Sequence, residues 1–265
     1  MGALLVRVLV TNDDGVEAPG LHVLAREIAK SGCEVTVVSP SSDHSGFGAA
    51  LGPLHISGRV AFERRSVAAL ADLEVIAVEG PPALCVFSAC LGGFGERPDL
   101  VVSGINAGAN TGRAVLHSGT VGAALTANSF GVPSIAVSEA FGESFDWRTA
   151  ALVAASLTSW MTGHEKVFTL NVNVPNNPAR GIPAHIATLD VGGEVQTAMF
   201  EADEGTLELR FTPTSARPGT DSSILAEGAI AITPLTALAT SEIVLHGALG
   251  RIDRALATED RQRIA

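Results

Sequence analysis

Asp13 and Asp14 stand side by side in Thr11-Asn12-Asp13-Asp14-Gly15, directly behind the apolar run Val6 to Val10. Two adjacent carboxylates at the end of a buried strand repel each other and lose hydration, so one takes a proton or a cation lies between them. We read a cation. Three later stretches carry matching chemistry: Ser45 in Ser41-Ser42-Asp43-His44-Ser45-Gly46-Phe47-Gly48, Asn106 in the glycine-rich run from Ser103 to Gly112, and His117-Ser118-Gly119-Thr120 ahead of an apolar stretch. Carboxylate, hydroxyl and amide oxygens suit a hard ion, Mg²⁺, Mn²⁺ or Ca²⁺, better than zinc. An ion held by Asp13, Asp14, Ser45 and Asn106 keeps enough positive charge to attract a phosphate. It would polarise the phosphoryl group and bring the pKa of a bound water toward neutrality. The run from Gly104 to Gly112 and the helix start at Ser118-Gly119-Thr120 would offer N–H donors to the phosphate oxygens. Taken singly, each motif also has a plainer meaning. Asp-Asp-Gly can be a turn, the glycine run a tight connection, and His44 and His117 satisfied polar residues. His117 is kept as a candidate proton donor.

These loops need strands to aim them. Val6 to Val10 is short, nearly all apolar and β-branched, which predicts a strand covered on both faces of a mostly parallel sheet. Pro19 and Gly20 open a helix in which Leu21, Leu24, Ala25 and Ile28 recur at helical spacing, and Gly32 sits where a C-terminal cap belongs. Val35 to Ser39 follows as a second strand, giving a βαβ unit. Leu51 to Leu70 alternates weakly and leads to Leu73 to Val78, read as further strands. Pro81 and Pro82 start a helix through Leu91. Leu100 to Val102, Ser134 to Val137 and Phe168 to Val174 are three more strands. Helices from Val121 to Ala127 and Trp147 to Trp160 separate them, the first capped by Ser118 or Thr120. This alternation predicts a doubly wound, Rossmann-like α/β sheet. In such sheets ligands bind beyond the carboxyl ends of the strands near a topological switch point, which would gather Asp13-Asp14, Ser45 and Asn106 on one rim.

The texture changes after Pro175. Ile186 to Val191, Met199-Phe200 and Thr206 to Phe211 read as antiparallel strands, the latter pair hinged at Asp203-Glu204-Gly205, with a last strand at Ala229 to Ile232. We therefore expect a catalytic core over residues 1–180 and a smaller C-terminal β-hairpin and helical extension over 181–265, packed on the core as one unit. Ser241 to Ala265 is expected to lie on the body or on a second subunit.

Composition narrows the partners. The 265 residues are 46% hydrophobic and 17% charged, with 17 basic side chains against 28 acidic ones. The resulting charge of −11 works against long-range attraction to nucleic acid or anionic membranes, so a phosphorylated substrate must be held locally. Cys33, Cys85 and Cys90 lack the number and spacing of a disulfide framework or zinc site, and read as buried thiols in a reducing compartment. The opening apolar run is broken by Arg7 and is too short for a membrane span, which predicts a cytoplasmic protein without a leader.

Together these residues resemble the SurE survival-protein family of metal-dependent nucleotidases. The likeness covers Val8 to Gly15 with Ala18-Pro19-Gly20, Pro40 with Ser45-Gly46, Ser103-Gly104-Ile105-Asn106 with Gly108, Asn110 and Gly112, and Ser118 to Val121. Weaker echoes are Asn171-Val172-Asn173-Val174-Pro175 and Gly228 with Ile232-Thr233-Pro234. The resemblance implies a Rossmann-like core whose smaller C-terminal portion helps form dimers or tetramers. It also implies hydrolysis of nucleoside 5′- or 3′-monophosphates, sometimes with activity on short polyphosphate. Carried over by motif, Asp13, Asp14, Ser45 and Asn106 would hold one divalent cation per subunit, while Asn110 and Ser118 to Thr120 would line a phosphate pocket. Leu84, Thr126 and His44 stand where the family commonly has Asp, Glu and Arg. The absence of Tyr leaves Trp or Phe to stack a base.

Two alternatives stay open at this point. One is the same chemistry on another small phosphate ester. The other is a non-catalytic nucleotide- or metal-binding protein, with Leu84 and Thr126 marking lost activity. A nicotinamide enzyme is disfavoured because no GxGxxG follows a strand, and an α/β-hydrolase because no GxSxG elbow is present.

Overall fold

The computed structural model describes residues 5–179, 181–191, 195–203, 205–213 and 216–240. Its elements are β1 (Arg7–Thr11), α1 (Pro19–Lys30), β2 (Glu34–Pro40), α2 (Leu54–Ser57), β3 (Phe62–Arg65), β4 (Glu74–Val78), α3 (Pro82–Cys90), β5 (Leu100–Ala107), α4 (Gly119–Ser129) and β6 (Ser134–Glu139). There follow α5 (Arg148–Met161), β7 (Thr169–Val174), β8 (Ala184–Ile186), β9 (Val195–Asp203), β10 (Thr206–Pro213), α6 (Asp221–Ala226) and β11 (Ile230–Leu235). Nine strands form one sheet in the order β3-β4-β2-β1-β5-β6-β7-β11-β8. From β4 to β7 every neighbouring pair is parallel.

Strand alternation sorts the core into two layers. Val8 and Val10 of β1 point to the face covered by α1 and α5, while Leu9 and Val101 point to the face covered by α3 and α4. Each of these side chains is almost completely buried and contributes roughly 1.5–3 kcal/mol relative to exposure. The chain leaves β1 through α1 to reach β2 on one side, and leaves β5 through α4 to reach β6 on the other. Since β1 and β5 are neighbours, the switch point opens at their carboxyl ends.

Several expectations are corrected here. Asn106 lies inside β5, which runs on to Ala107, because β6 offers Ser138 and Glu139 as ladder partners beyond a register shift between Ser103 and Asn106. The weak alternation from Leu51 to Leu70 is a short helix (α2), a four-residue antiparallel edge strand (β3) and a 3-10 turn at Ala68–Leu70. β8 spans Ala184–Ile186 rather than Ile186 to Val191, and it pairs parallel with β11. β9 and β10 do form the expected antiparallel ribbon, with Glu204 of its hinge outside the described residues. α6 was not anticipated: six residues with three polar side chains give no periodic signal. β11 and β8 extend the main sheet, so the C-terminal segment builds on the same layer as the core. The stretch from Ser241 to Ala265, expected on the body or a partner, lies outside the described residues. No helix among the described residues is long and apolar enough to cross a membrane. All three cysteines are free thiols, Cys85 and Cys90 buried and Cys33 half-buried.

Candidate active site at the switch point

β1 delivers the acidic pair. Thr11 pairs with Ser103 of β5, so Asp13 and Asp14 emerge beside the end of that strand. Asn12 is buried beneath the turn; its amide donates to the Gly15 carbonyl at 3.0 Å and its Oδ1 accepts from the Ser39 hydroxyl. Asp13 is only 3% exposed, and Asp14 is half-buried. Burial pushes the Asp13 carboxyl above its ordinary range against the pull of hydrogen bonds from Thr120. Asp14 is pushed up to about 7, first by burial and then by the charges of Asp13 and Asp43. Neither carboxylate has a lysine, arginine or histidine partner among the ion pairs of the described residues.

The loop after β2 folds over this turn. The His44 amide donates to the Asp13 carbonyl at 2.8 Å, and the Val16 amide to the Pro40 carbonyl at 2.9 Å. Ser45 is exposed one residue on. Its amide and its hydroxyl both donate to Asp43 Oδ1 at 2.7 Å, which holds Asp43 below the usual carboxylate range. The far end of this loop rests on α4: the Gly48 amide donates to the His117 carbonyl at 3.1 Å, and Gly122 is the only residue type that fits there. A Cβ at Gly122 would come within 2.3 Å of the Gly48 carbonyl.

From β5 comes Asn106, half-buried, whose Nδ2 donates to the Gly108 carbonyl at 2.7 Å and leaves Oδ1 as the free acceptor. The connection to α4 is held by amides of β7. Asn173 accepts from the Asn110 amide at 2.8 Å and donates to its carbonyl at 3.1 Å, and Asn171 donates to that carbonyl at 2.8 Å. The side chain of Asn110 itself donates to Ser138 at 2.9 Å. α4 then begins at the acidic pair. Ser118 caps it, accepting from Val121 N at 3.1 Å, and the Thr120 hydroxyl donates to Asp13 Oδ1. Gly119 presses directly on Asp13, where a Cβ would come within 2.7 Å of the carboxylate. The positive end of α4 thus faces the acidic turn.

The structure therefore gathers Asp13, Asp14, Ser45 and Asn106 at one rim with Ser118, Gly119 and Thr120. The Thr120 hydroxyl is committed to Asp13 and the Asn110 side-chain amide to Ser138. His117 is exposed beside Ser118. Sequence reasoning gave no role to the His44 amide, to Asp43, or to Asn171 and Asn173. For the last two a signal existed: asparagines at i and i+2 of an otherwise apolar strand share one face. Leu84 packs in the core between α3 and the sheet, and the Thr126 hydroxyl donates to the Gly122 carbonyl at 2.7 Å. Neither change removes an oxygen donor from the rim.

A divalent ion fits these residues. A buried and a half-buried carboxylate repel each other without a protein cation, and Ser45 Oγ and Asn106 Oδ1 keep acceptor capacity because their hydrogen bonds are made through donors. Among the described residues no cluster of three or more His, Cys, Asp or Glu side chains is formed, so a zinc-type set is not what this rim offers.

Doubly wound sheet, acidic turn at the switch point and helix N-terminus facing it define an α/β protein with a rim of oxygen donors at the carboxyl ends of its parallel strands. A family model described as survival protein SurE matches residues 8–192, and the chain belongs to that family. It is 38% identical over 257 residues to a 5′-nucleotidase SurE of Nitrosococcus oceani, covering 94% of this chain and 98% of that one. A 5′-nucleotidase SurE of Geobacter sulfurreducens is 38% identical over 239 residues, 87% of each chain. The crystal structure of the SurE protein from Aquifex aeolicus superposes with a TM-score of 0.73 at 27% identity, over 91% of this chain and 97% of that one.

Proposed function

We propose that this chain is a divalent-metal-dependent phosphomonoesterase that hydrolyses nucleoside 5′-monophosphates, or 3′-monophosphates, to nucleoside and phosphate. The observation that carries this reading is the pair Asp13–Asp14, Asp13 buried against the N-terminus of α4 and Asp14 half-buried beside it, with no counter-ion among the ion pairs of the described residues. The names of the relatives in Nitrosococcus and Geobacter support the nucleotide as substrate. Asp13, Asp14, Ser45 and Asn106 would hold one Mg²⁺ or Mn²⁺ per subunit, with Ca²⁺ a workable substitute in a crystal. Bound there, the ion supplies Lewis-acid polarisation of the phosphoryl group and activation of water.

The chain's own residues do the rest. The Asp13 side chain is locked by Thr120, so this carboxylate meets substrate already oriented. The Gly119 amide, at the first turn of α4 beside the Ser118 cap, would receive a phosphate oxygen. Exposed His117, next to the Ser118 cap, would give a proton to the departing nucleoside oxygen. Phe141, 79% exposed, lies against Gly108, where an added Cβ would come within 2.5 Å of its ring, and offers a face for the base that the absent tyrosines do not. The net charge of −11 supports a small phosphorylated substrate in place of a stable nucleic-acid complex. Cytoplasmic location and a homodimer or homotetramer complete the reading.

The test is phosphate release from a panel of nucleoside monophosphates, sugar phosphates and p-nitrophenyl phosphate, with Mn²⁺, Mg²⁺ or EDTA. Turnover is expected with either metal, lost in EDTA, and fastest on nucleotides. Equal rates across the panel would remove nucleotide specificity. Tight nucleotide binding without turnover would leave a binding protein. Phe141→Ala should raise KM about tenfold for nucleotides, on the scale of one lost stacking contact, and leave p-nitrophenyl phosphate unaffected.

A further inference from the structure

Asp221, the first residue of α6, has a fully buried side chain. The nearby cation, Arg217, reaches Asp190 instead, at 3.5 Å. Asp221 is satisfied by three main-chain donors: Oδ1 accepts from Asp190 N and Ser222 N, each at 2.9 Å, and Oδ2 accepts from Gly112 N at 2.9 Å. Hydrogen bonds to an ionised acceptor are about twice as strong as neutral ones. The bond to Gly112 spans 109 residues and joins the C-terminal segment to the loop between β5 and α4.

That loop is pinned at two places. Asn171 and Asn173 hold Asn110 from inside the sheet, and Asp221 holds Gly112 from the C-terminal segment. Between Gly112 and the α4 cap lies only the 3-10 turn Gly112–Leu116 and His117. A shift at Gly112 therefore passes over five residues to Ser118 and on to Gly119 and Thr120, whose contacts with Asp13 leave no slack.

We propose that Asp221 is a positioning residue, which sets the α4 N-terminus against the acidic pair through the Gly112 amide and so tunes phosphate binding from the C-terminal segment. This rests on the phosphate-ester reading above. The division of labour between its two oxygens makes the proposal testable by an isosteric change. In Asp221→Asn, Oδ1 keeps its two donors while an NH₂ group replaces Oδ2 and meets the Gly112 N–H donor to donor.

The experiment compares wild type, Asp221→Asn and Ser222→Ala, a control whose hydroxyl has no partner. KM for a nucleoside monophosphate and the inhibition constant of inorganic phosphate should each rise about tenfold in Asp221→Asn, the scale of one lost charge-assisted hydrogen bond, with a smaller fall in kcat. Mn²⁺ affinity should hold steady. Hydrogen exchange should quicken across residues 110–118 and stay unchanged in β1 and β5. Ser222→Ala should match wild type throughout. Unaltered KM, phosphate inhibition and 110–118 exchange in Asp221→Asn would overturn the proposal while leaving the activity intact. A wild type inactive on every ester would sink the functional reading instead, and the exchange comparison would still decide whether Asp221 pins the loop. If Asp221→Asn does not fold, wild type itself gives the answer: the Gly112 amide should exchange as slowly as those of Leu100 to Val102, and exchange at the rate of exposed Gly46 would refute the proposal.

Discussion

Strands β1 and β5 lie side by side, and their two ends handle charge in opposite ways. At the amino ends, Arg7 and Asp99 close a complete exchange: Arg7 Nη2 donates to Asp99 Oδ1 at 2.8 Å, Arg7 Nε to Oδ2 at 3.1 Å, the Arg7 amide also to Oδ2 at 2.9 Å, and the Asp99 amide to the Arg7 carbonyl at 2.9 Å. Arg7 holds the Asp99 carboxyl below its ordinary range. At the carboxyl ends, six and seven residues beyond Arg7, Asp13 and Asp14 are more deeply buried, lack a cation and are pushed upward. One rim has its charges settled by the chain, and the other leaves them to be settled by something the chain binds. Strain of this kind, held in place by the glycines and hydrogen bonds around it, is what a binding site costs the fold.

The contrast yields predictions of opposite sign, and the largest belongs to the strained rim. Asp14→Asn should lower kcat/KM by about 10³-fold, the scale of losing one electrostatic group at a reacting centre. It should also change the pH dependence of stability. With its folded value raised from 3.8 to about 7, Asp14 favours the fold fully below the ordinary carboxylate range, and that contribution is lost as pH rises through about 7. The melting temperature of metal-free protein should therefore fall between pH 5 and pH 8 and recover when Mn²⁺ is added at pH 8, and both changes should be smaller in Asp14→Asn, where burial still raises Asp13 alone. A flat profile in the wild type would erase the contrast between the rims.

Gly119→Ala comes next. Its Cβ would sit 2.7 Å from the Asp13 carboxylate, so Asp13 or α4 must move, and activity should fall about 10²-fold with the fold retained. Wild-type activity in this variant would show that the approach of α4 to β1 is looser than the geometry states.

The smallest effect is expected at the settled rim. Asp99 contributes stability that is present above its ordinary value and lost as pH falls through its depressed one, and its partner is solvent-accessible. Asp99→Asn should bring a slight drop in melting temperature above pH 5, a flatter acid limb, and unchanged kcat and KM. A large loss of activity would mean the two ends of β1 are coupled.

Much of the strained rim was legible in the residues. Its βαβ frame follows from β-branched runs and helical spacing, and Asp13-Asp14, Ser45 and Asn106 could be assigned to one edge because a parallel sheet aligns its carboxyl ends. What escaped depended on partners distant in the chain. Ser103 to Ala107 looked like loop because glycine and asparagine weaken a strand signal, yet β6 supplies the ladder that keeps it extended. β8 read as antiparallel because direction is set by which strand lies beside it, here β11. Asp221 was invisible as an anchor: its three donors come from residues 112, 190 and 222, and no local pattern brings them together. The commitment of Thr120 to Asp13 escaped for the same reason.

The most direct test of the account is a crystal soaked with Mn²⁺ and phosphate, read by anomalous scattering. One peak per subunit is expected among Asp13, Asp14, Ser45 and Asn106, with phosphate density running from it to the first turn of α4. Manganese bound elsewhere, or a rim left empty at saturating Mn²⁺ while the carboxylates turn away from each other, would contradict it.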